Sequence, residues 1–296
     1  MNNNSPSFIF FGTPEFAVRV LQGLKKHSLA PRLIITAPSR PQGRGLIVVP
    51  PAVKEYADAN KIRCLQPEKI ADAVTELINS NADVFVVAAY GAILSNEVLS
   101  IPSKGAINIH PSLLPKYRGA SPIESAILRD DRDTGVSLML MDEKMDHGPI
   151  IAQWKLSELE QGPAWPLSSA EAREIFADQG AKLLVKAFHD IKNDCLLYKE
   201  QEHARATYTK KIEKNDGCIS LDDDPYKNFL KYKALTPRPG VYFFEHQNGG
   251  KKRIIIRQAL FHDGQFIPAR VVPEGGKEME WSSYERGITT NPHKIL

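Results

Sequence analysis

The chain has 296 residues, 42% of them hydrophobic and 25% charged, with a formal net charge of +3 at pH 7. That is the composition of a folded globular protein, with room for two domains of about 100–200 residues each, and it excludes a disordered chain. No run of about eighteen apolar residues is present, which excludes a spanning helix, and the three cysteines, Cys64, Cys195 and Cys218, lack the CxxC spacing of a zinc site or the even count of a disulfide framework.

The first residues, Met1 to Pro6, are polar and uncharged and read as a frayed tail, without the basic start and apolar stretch of a secretion signal. With the sparse cysteines, this sets the expectation of a cytoplasmic protein. Phe8-Ile9-Phe10-Phe11 is a continuous apolar run ending at Gly12, as expected of a strand buried on both faces. Thr13-Pro14-Glu15 reads as a helix start, with Thr13 as the cap and Pro14 in the first turn. Leu33-Ile34-Ile35 is a second strand, and the proline-rich residues 38–51 read as a loop. A helix is expected from Val53 to Ala59, and a short strand at Ile62 to Leu65. Helical spacing follows over Ile70, Val74, Leu77 and Ile78.

Val84 to Ala89 is the most apolar strand, followed by Ala106 to His110 and Val136 to Met141. A helix is expected from Ser168 to about Lys192. This alternation predicts an α/β fold with a doubly wound, mostly parallel, Rossmann-like sheet. Residues 193–207 are polar and read as a linker between a catalytic domain, 1–192, and a second domain, 208–296. There, short apolar runs at Val241 to Phe244, Ile254 to Ile256 and Phe266 to Pro268 alternate with turn signals at Gln247-Asn248-Gly249-Gly250 and Asp263-Gly264. They predict a small β-barrel or sandwich. Basic residues outnumber acidic ones after residue 205, which suits a nucleic-acid backbone and equally an ordinary solvated surface.

Chemistry concentrates in Gly105-Ala106-Ile107-Asn108-Ile109-His110-Pro111. Alternate side chains of a strand share a face, so Asn108 and His110 point the same way and the two isoleucines the other. Two polar groups at the carboxyl end of an apolar strand sit where open α/β sheets bind ligands. A second cluster, Met141-Asp142-Glu143-Lys144-Met145-Asp146-His147-Gly148, lies between two strands. Asp146 is a candidate to orient His110 from a neighbouring strand end, although an Asp before a glycine is more often turn chemistry. Gly43-Arg44-Gly45 is only a fragment of a dinucleotide loop. No Walker loop, HExxH or Gly-x-Ser-x-Gly elbow occurs, so a Ser or Cys nucleophile has no support.

At these residues the sequence resembles the folate-dependent formyltransferases. Phe10 to Ala17 is similar to their opening strand and turn, and Ala89-Tyr90-Gly91-Ala92-Ile93-Leu94 to the segment lining their folate pocket. Asn108 to Pro115 with Tyr117 to Ile123 resembles their signature, and Thr134 to Ile150 the stretch carrying their aspartate. The resemblance implies a catalytic trio of Asn108, His110 and Asp146. It implies folate-binding roles for Tyr90, Gly91, Ile93, Ser112, Leu113, Leu114 and Pro115, and 10-formyltetrahydrofolate as formyl donor with no metal.

The loop with Arg40 and Arg44, running on to Lys54, together with a β-rich tail including Trp281 to Gly287, is similar to the parts that meet RNA. It implies an OB-like barrel as the second domain, and an initiator methionyl-tRNA as partner of a monomeric enzyme without a membrane. A nucleotide-sugar acceptor and a non-catalytic RNA-binding module are the alternatives. Two departures stand out: Leu46-Ile47-Val48-Val49 occupies positions where the family carries lysines, and Asp222-Asp223-Asp224 forms an acidic patch.

Overall fold

The computed structural model describes residues 5–42, 45–247 and 250–289. Two compact units divide the chain. The first takes Met1–Pro122, Asp133–Glu160 and Arg173–Thr209, and the second Ile123–Arg132, Gln161–Ala172 and Lys210–Leu296. The expected linker, 193–207, therefore falls inside the first unit, and two short stretches well before it belong to the second.

In chain order the strands are β1 (Phe8–Gly12), β2 (Leu33–Ile35), β3 (Arg40–Gln42), β4 (Ile47–Val49), β5 (Cys64–Leu65), β6 (Val84–Ala88), β7 (Ala106–His110), β8 (Arg118–Gly119), β9 (Gly135–Leu140), β10 (Ile150–Lys155), β11 (Tyr208–Thr209), β12 (Val241–Gln247), β13 (Gly250–His262), β14 (Gln265–Pro273) and β15 (Met279–Glu280). The helices are α1 (Glu15–Lys26), α2 (Ala52–Ala59), α3 (Val74–Asn79), α4 (Asn96–Leu99), α5 (Pro122–Leu128), α6 (Ser169–Lys192), α7 (Pro225–Leu235) and α8 (Trp281–Thr289).

The first unit is built on a seven-stranded sheet in the order β10-β9-β7-β6-β1-β2-β5. Strands β5, β2, β1, β6 and β7 run parallel, and β9 and β10 add as antiparallel neighbours. Chain direction across the sheet reverses between β1 and β6, the switch point of a doubly wound fold. The apolar runs become the central strands because both sheet faces are covered: all five residues of β1 and all five of β6 are buried. On one face Ile9, Phe11, Phe85 and Val87 pack with Leu77 of α3 and Val98 of α4. On the other, Phe8 meets Phe188 of α6 with ring centroids 5.1 Å apart. Each such fully buried phenylalanine contributes about 1.5–3 kcal/mol.

Several local expectations change. Thr13 does not cap α1; Pro14 occupies that position without a side-chain cap, and the Thr13 hydroxyl donates to the Tyr90 carbonyl at 3.1 Å. This hydrogen bond joins the loop after β1 to the loop after β6. The loop expected over 38–51 contains the hairpin β3–β4, with Arg40 opposite Val49 and Pro41 opposite Val48. A short isolated hairpin tolerates Pro41 because edge positions need no ladder donor. Strand β6 stops at Ala88, since Ala89 turns into the left-handed region with φ 49°.

The second unit contains a four-stranded antiparallel sheet, β12-β13-β14-β15. The Asp263-Gly264 turn joins β13 to β14 with both residues at positive φ, as a tight hairpin requires. The Gln247 to Gly250 turn centres on Asn248 and Gly249, outside the described residues. No closing pair between β12 and β15 is present among the described residues, so the architecture here is an antiparallel sheet packed with α7 and α8. Trp281 to Gly287, expected to belong to a β-rich tail, lies in the helix α8: Tyr284 is buried and Trp281 stacks on it. The acidic patch finds a local role, for Asp224 caps α7 by accepting from the Lys227 amide at 2.9 Å.

Candidate active site

Asn108 and His110 come from the carboxyl half of β7, one pleat apart, and both line a single cavity. Their route to Asp146 differs from a meeting of neighbouring strand ends. Strand β9 runs antiparallel to β7, so its last residue, Leu140, pairs with Ile107 at the start of β7. The loop 141–149 therefore folds back along β7 to deliver Asp146. The Asn108 amide donates to Asp146 Oδ1 at 3.2 Å, and His110 Nδ1 lies 3.5 Å from the same oxygen. The other ring nitrogen of His110, Nε2, is 3.0 Å from the Tyr117 carbonyl and donates to it. That contact fixes which nitrogen faces Asp146. His110 is buried, 4% exposed.

Asp146 Oδ2 accepts from the Gly119 backbone amide at 2.7 Å. Both carboxylate oxygens are thus engaged in a place where the side chain is 13% exposed. Asp146 has φ 49°, a conformation that Asp tolerates better than most residues. Its carbonyl and that of Gly148 accept from the two hydrogens of the Gln201 amide, at 3.0 and 2.7 Å. Gly148 has to be glycine here: a Cβ would stand 2.1 Å from the Leu140 carbonyl oxygen. Gly119 is equally constrained, with φ 112° and a would-be Cβ 2.7 Å from the Thr209 carbonyl.

The cavity has a volume of about 510 Å³. Tyr90, Gly91 and Ile93, from the segment expected to meet folate, line it, and Met141, Met145 and Lys144 line the side formed by the Asp146 loop. Burial pushes the Tyr90 phenol above its ordinary pKa, so it stays a neutral hydrogen-bonding group. Ile93 is 81% exposed. Ser112, Leu113, Leu114 and Pro115 are not part of this lining. Ser112, Leu113 and Leu114 are buried in support of it: the Ser112 hydroxyl donates to the Lys116 carbonyl, and the Leu114 amide donates to Ser137 Oγ on β9. The signature stretch turns away after Pro111, so these four residues stand outside the cavity wall.

Arg40 lies on the exposed β3 with its guanidinium on Glu68 Oε2 at 2.6 Å. Arg44, the other residue expected at RNA, lies outside the described residues. Beside them Leu46, Ile47 and Val48 are exposed to 72, 70 and 61%. Among the described residues, no three His, Cys, Asp or Glu side chains form a metal-ligand set, and no helix is long and apolar enough to cross a membrane.

Residues 7–187 match the formyl transferase family. The methionyl-tRNA formyltransferase of Carboxydothermus hydrogenoformans is 35% identical, over 94% of this chain and 96% of the relative. That of Thermus thermophilus is 36% identical, over 90% and 85%. The chain belongs to the methionyl-tRNA formyltransferase family. As a member of that family it is a formyl-transferring enzyme. Among solved structures, a methionyl-tRNA formyltransferase from Clostridium thermocellum superposes with a TM-score of 0.62 at 15% identity, over 93% of this chain and 99% of its own. An N-formyltransferase from Helicobacter canadensis, in complex with folinic acid and dTDP-3-aminofucose, gives 0.60 at 19% identity, over 89% and 95%. At such identities these likenesses concern the fold.

In this methionyl-tRNA formyltransferase family member, three contributors to the site have no role assigned from the sequence, although two of them fall in the signature stretch Tyr117 to Ile123. They are the Gly119 amide, the Gln201 side chain and Arg118. Arg118 is 1% exposed, and its guanidinium meets Gln201 Oε1, His203 Nδ1 and the Tyr208 hydroxyl. A charged residue inside an apparently polar surface motif, Tyr117-Arg118-Gly119, carries no sign that it will be buried.

Proposed function

We propose that the protein transfers the formyl group of 10-formyltetrahydrofolate to the amino group of an initiator methionyl-tRNA. The observation that carries the reading is the convergence of Asn108, His110 and Asp146 on one cavity wall, in a chain of the methionyl-tRNA formyltransferase family. The apolar lining from Tyr90, Ile93 and Met141 suits the fused ring of a folate donor, with its formyl group toward β7.

The chemistry follows from the donors present. The neutral amine of the acceptor attacks the formyl carbon, forming the new C–N bond and placing a negative charge on the formyl oxygen. One amide hydrogen of Asn108 goes to Asp146, and the second is available for that oxygen. His110, when protonated, supplies a further donor from Nδ1. The attacking nitrogen sheds a proton to the Asp146 carboxylate, a proton passes on to the folate nitrogen, and the donor C–N bond breaks. No bond to the enzyme forms.

For the acceptor, Arg40 on β3 and Arg44 are assigned to the RNA. The exposed Leu46, Ile47 and Val48 make the β3–β4 hairpin a surface for base faces as much as for phosphates. The second unit's antiparallel sheet is read as the core of a small OB-like barrel, an architecture that binds oligonucleotides across its sheet. Lys251 and Arg253 on β13 are exposed there.

A formylation assay tests the whole reading. Protein, 10-formyltetrahydrofolate and methionine-charged initiator tRNA should yield N-formylmethionine on the tRNA, and an Asn108→Ala variant should not. Formyl transfer to a nucleotide-linked amino sugar, with none to the tRNA, would overturn the acceptor assignment.

A further inference from the structure

The segment between α6 and Lys210 reads as a polar connector, yet it is zipped onto the loop that follows β7. The Arg118 amide donates to the Thr207 carbonyl at 2.8 Å and the Tyr117 amide to Thr207 Oγ1 at 2.8 Å. Strand β11 pairs with β8, placing Thr209 opposite Gly119. Gly119 is the residue whose amide holds the Asp146 carboxylate. At the other end of the segment Gln201, 5% exposed, reaches the backbone of the Asp146 loop itself.

We propose that Gln201 is a positioning residue for Asp146. The proposal rests on the role given to Asp146 in formyl transfer. The Gln201 amide is used to capacity: both hydrogens go to the carbonyls of Asp146 and Gly148, and the oxygen accepts from Arg118 Nη2 at 2.7 Å and Nε at 3.3 Å. Its orientation has one solution, because a flipped amide would set its hydrogens against the guanidinium and its oxygen against two carbonyls. Asp146 sits in the left-handed region, which an L residue keeps only when its surroundings impose it. Gln201 imposes it by gripping the carbonyl of Asp146 and the next one but one. Through Arg118 it also steadies the residue preceding Gly119, so one side chain fixes both the backbone of Asp146 and the amide on its carboxylate.

The competing explanation is that Gln201 only satisfies the buried Arg118. Gln201→Glu separates the two. The glutamate keeps an acceptor for Arg118 and adds an ion pair, which offsets the cost of its second oxygen facing the Asp146 and Gly148 carbonyls, while both donors to the Asp146 loop are lost. Methionyl-tRNA formylation by the full chain should show kcat lower by about tenfold to a hundredfold. KM for donor and tRNA should stay within about threefold, and a thermal midpoint well above the assay temperature shows that the variant is folded. Gln201→Met, matched in size and lacking all four hydrogen bonds, should show the same loss of kcat. A Gln201→Glu enzyme with kcat within about twofold of the wild type would leave Gln201 a partner of Arg118 and nothing more. Wild-type protein that forms no N-formylmethionine would instead overturn the functional reading itself.

Discussion

Asp146 is held by an amide side chain and a backbone N–H, from residues 108 and 119, with the His110 Nδ1 3.5 Å from its Oδ1. Asp146→Asn keeps the shape but brings an NH2 group against one of those donors, so kcat should collapse while donor binding persists; tetrahydrofolate titration alongside the formylation assay reads both. His110→Ala should cost about 3–4 kcal/mol of transition-state stabilisation, read as kcat down by about 10²–10³, the range for loss of one oxyanion donor.

A pH effect is expected at His203, which stacks on His147 at 4.0 Å and accepts from Arg118 Nη2 at 2.9 Å. Desolvation, then the charges of His147 and Arg118, hold its pKa below the ordinary value, against weaker opposite pulls from Glu200 and Asp142. Because the folded state lowers this pKa, the unfolded chain takes the proton first. Stability is complete above the unfolded value of about 6.5 and is lost as pH falls through it toward the folded value. The thermal midpoint of the wild type should therefore drop more steeply between about pH 7 and pH 5.5 than that of His203→Asn; parallel curves would refute the linkage. At this scale Asn108 and His110 are legible because a strand's period of two puts them on one face. Gln201 is not, since its partners lie 53 and 55 residues away and its neighbours are polar.

Among the elements, the central strands announce themselves as unbroken apolar runs, and α6 by its length and periodicity. Strand direction is hidden: alternation in Val136 to Met141 is the same for either sense, and only the observed register shows β9 antiparallel to β7. The hairpin β3–β4 is masked by its prolines, and α8 by Trp281 and Tyr284, aromatic residues as common in strands. The fold-back of the Asp146 loop depends on close backbone approach, so Gly148→Ala should disturb it. A methyl 2.1 Å from the Leu140 carbonyl must push the loop, and kcat should fall well beyond any loss of thermal stability. By contrast Asp224→Ala removes the cap of α7, on the second unit, and should cost about 1 kcal/mol of stability with kcat unchanged. Chemical denaturation and the formylation assay, run on both variants, separate the two effects.

For the molecule as a whole, the excess of basic residues after position 205 suits an RNA ligand. Lys251→Ala with Arg253→Ala should weaken tRNA binding and flatten its salt dependence by about one unit of slope for each phosphate no longer neutralised; an unchanged slope would take these residues out of the interface. Removing everything after Thr209 is a poorer test, because the second unit also owns Ile123–Arg132 and Gln161–Ala172. Asp130 in the first of these stretches accepts from the Trp165 indole in the second and from the Tyr226 hydroxyl of α7. That three-part construction sets a timetable for synthesis. As the chain leaves the ribosome, Asp130 emerges 96 residues before Tyr226 and must wait for it. The first unit has all its sequence once Thr209 is out, whereas the second has none of its sheet. A nascent chain halted once Thr209 has emerged should therefore resist protease across the β7 region while staying cleavable near residues 123–132 and 161–172, and it should gain protection at both places together when the sheet strands arrive.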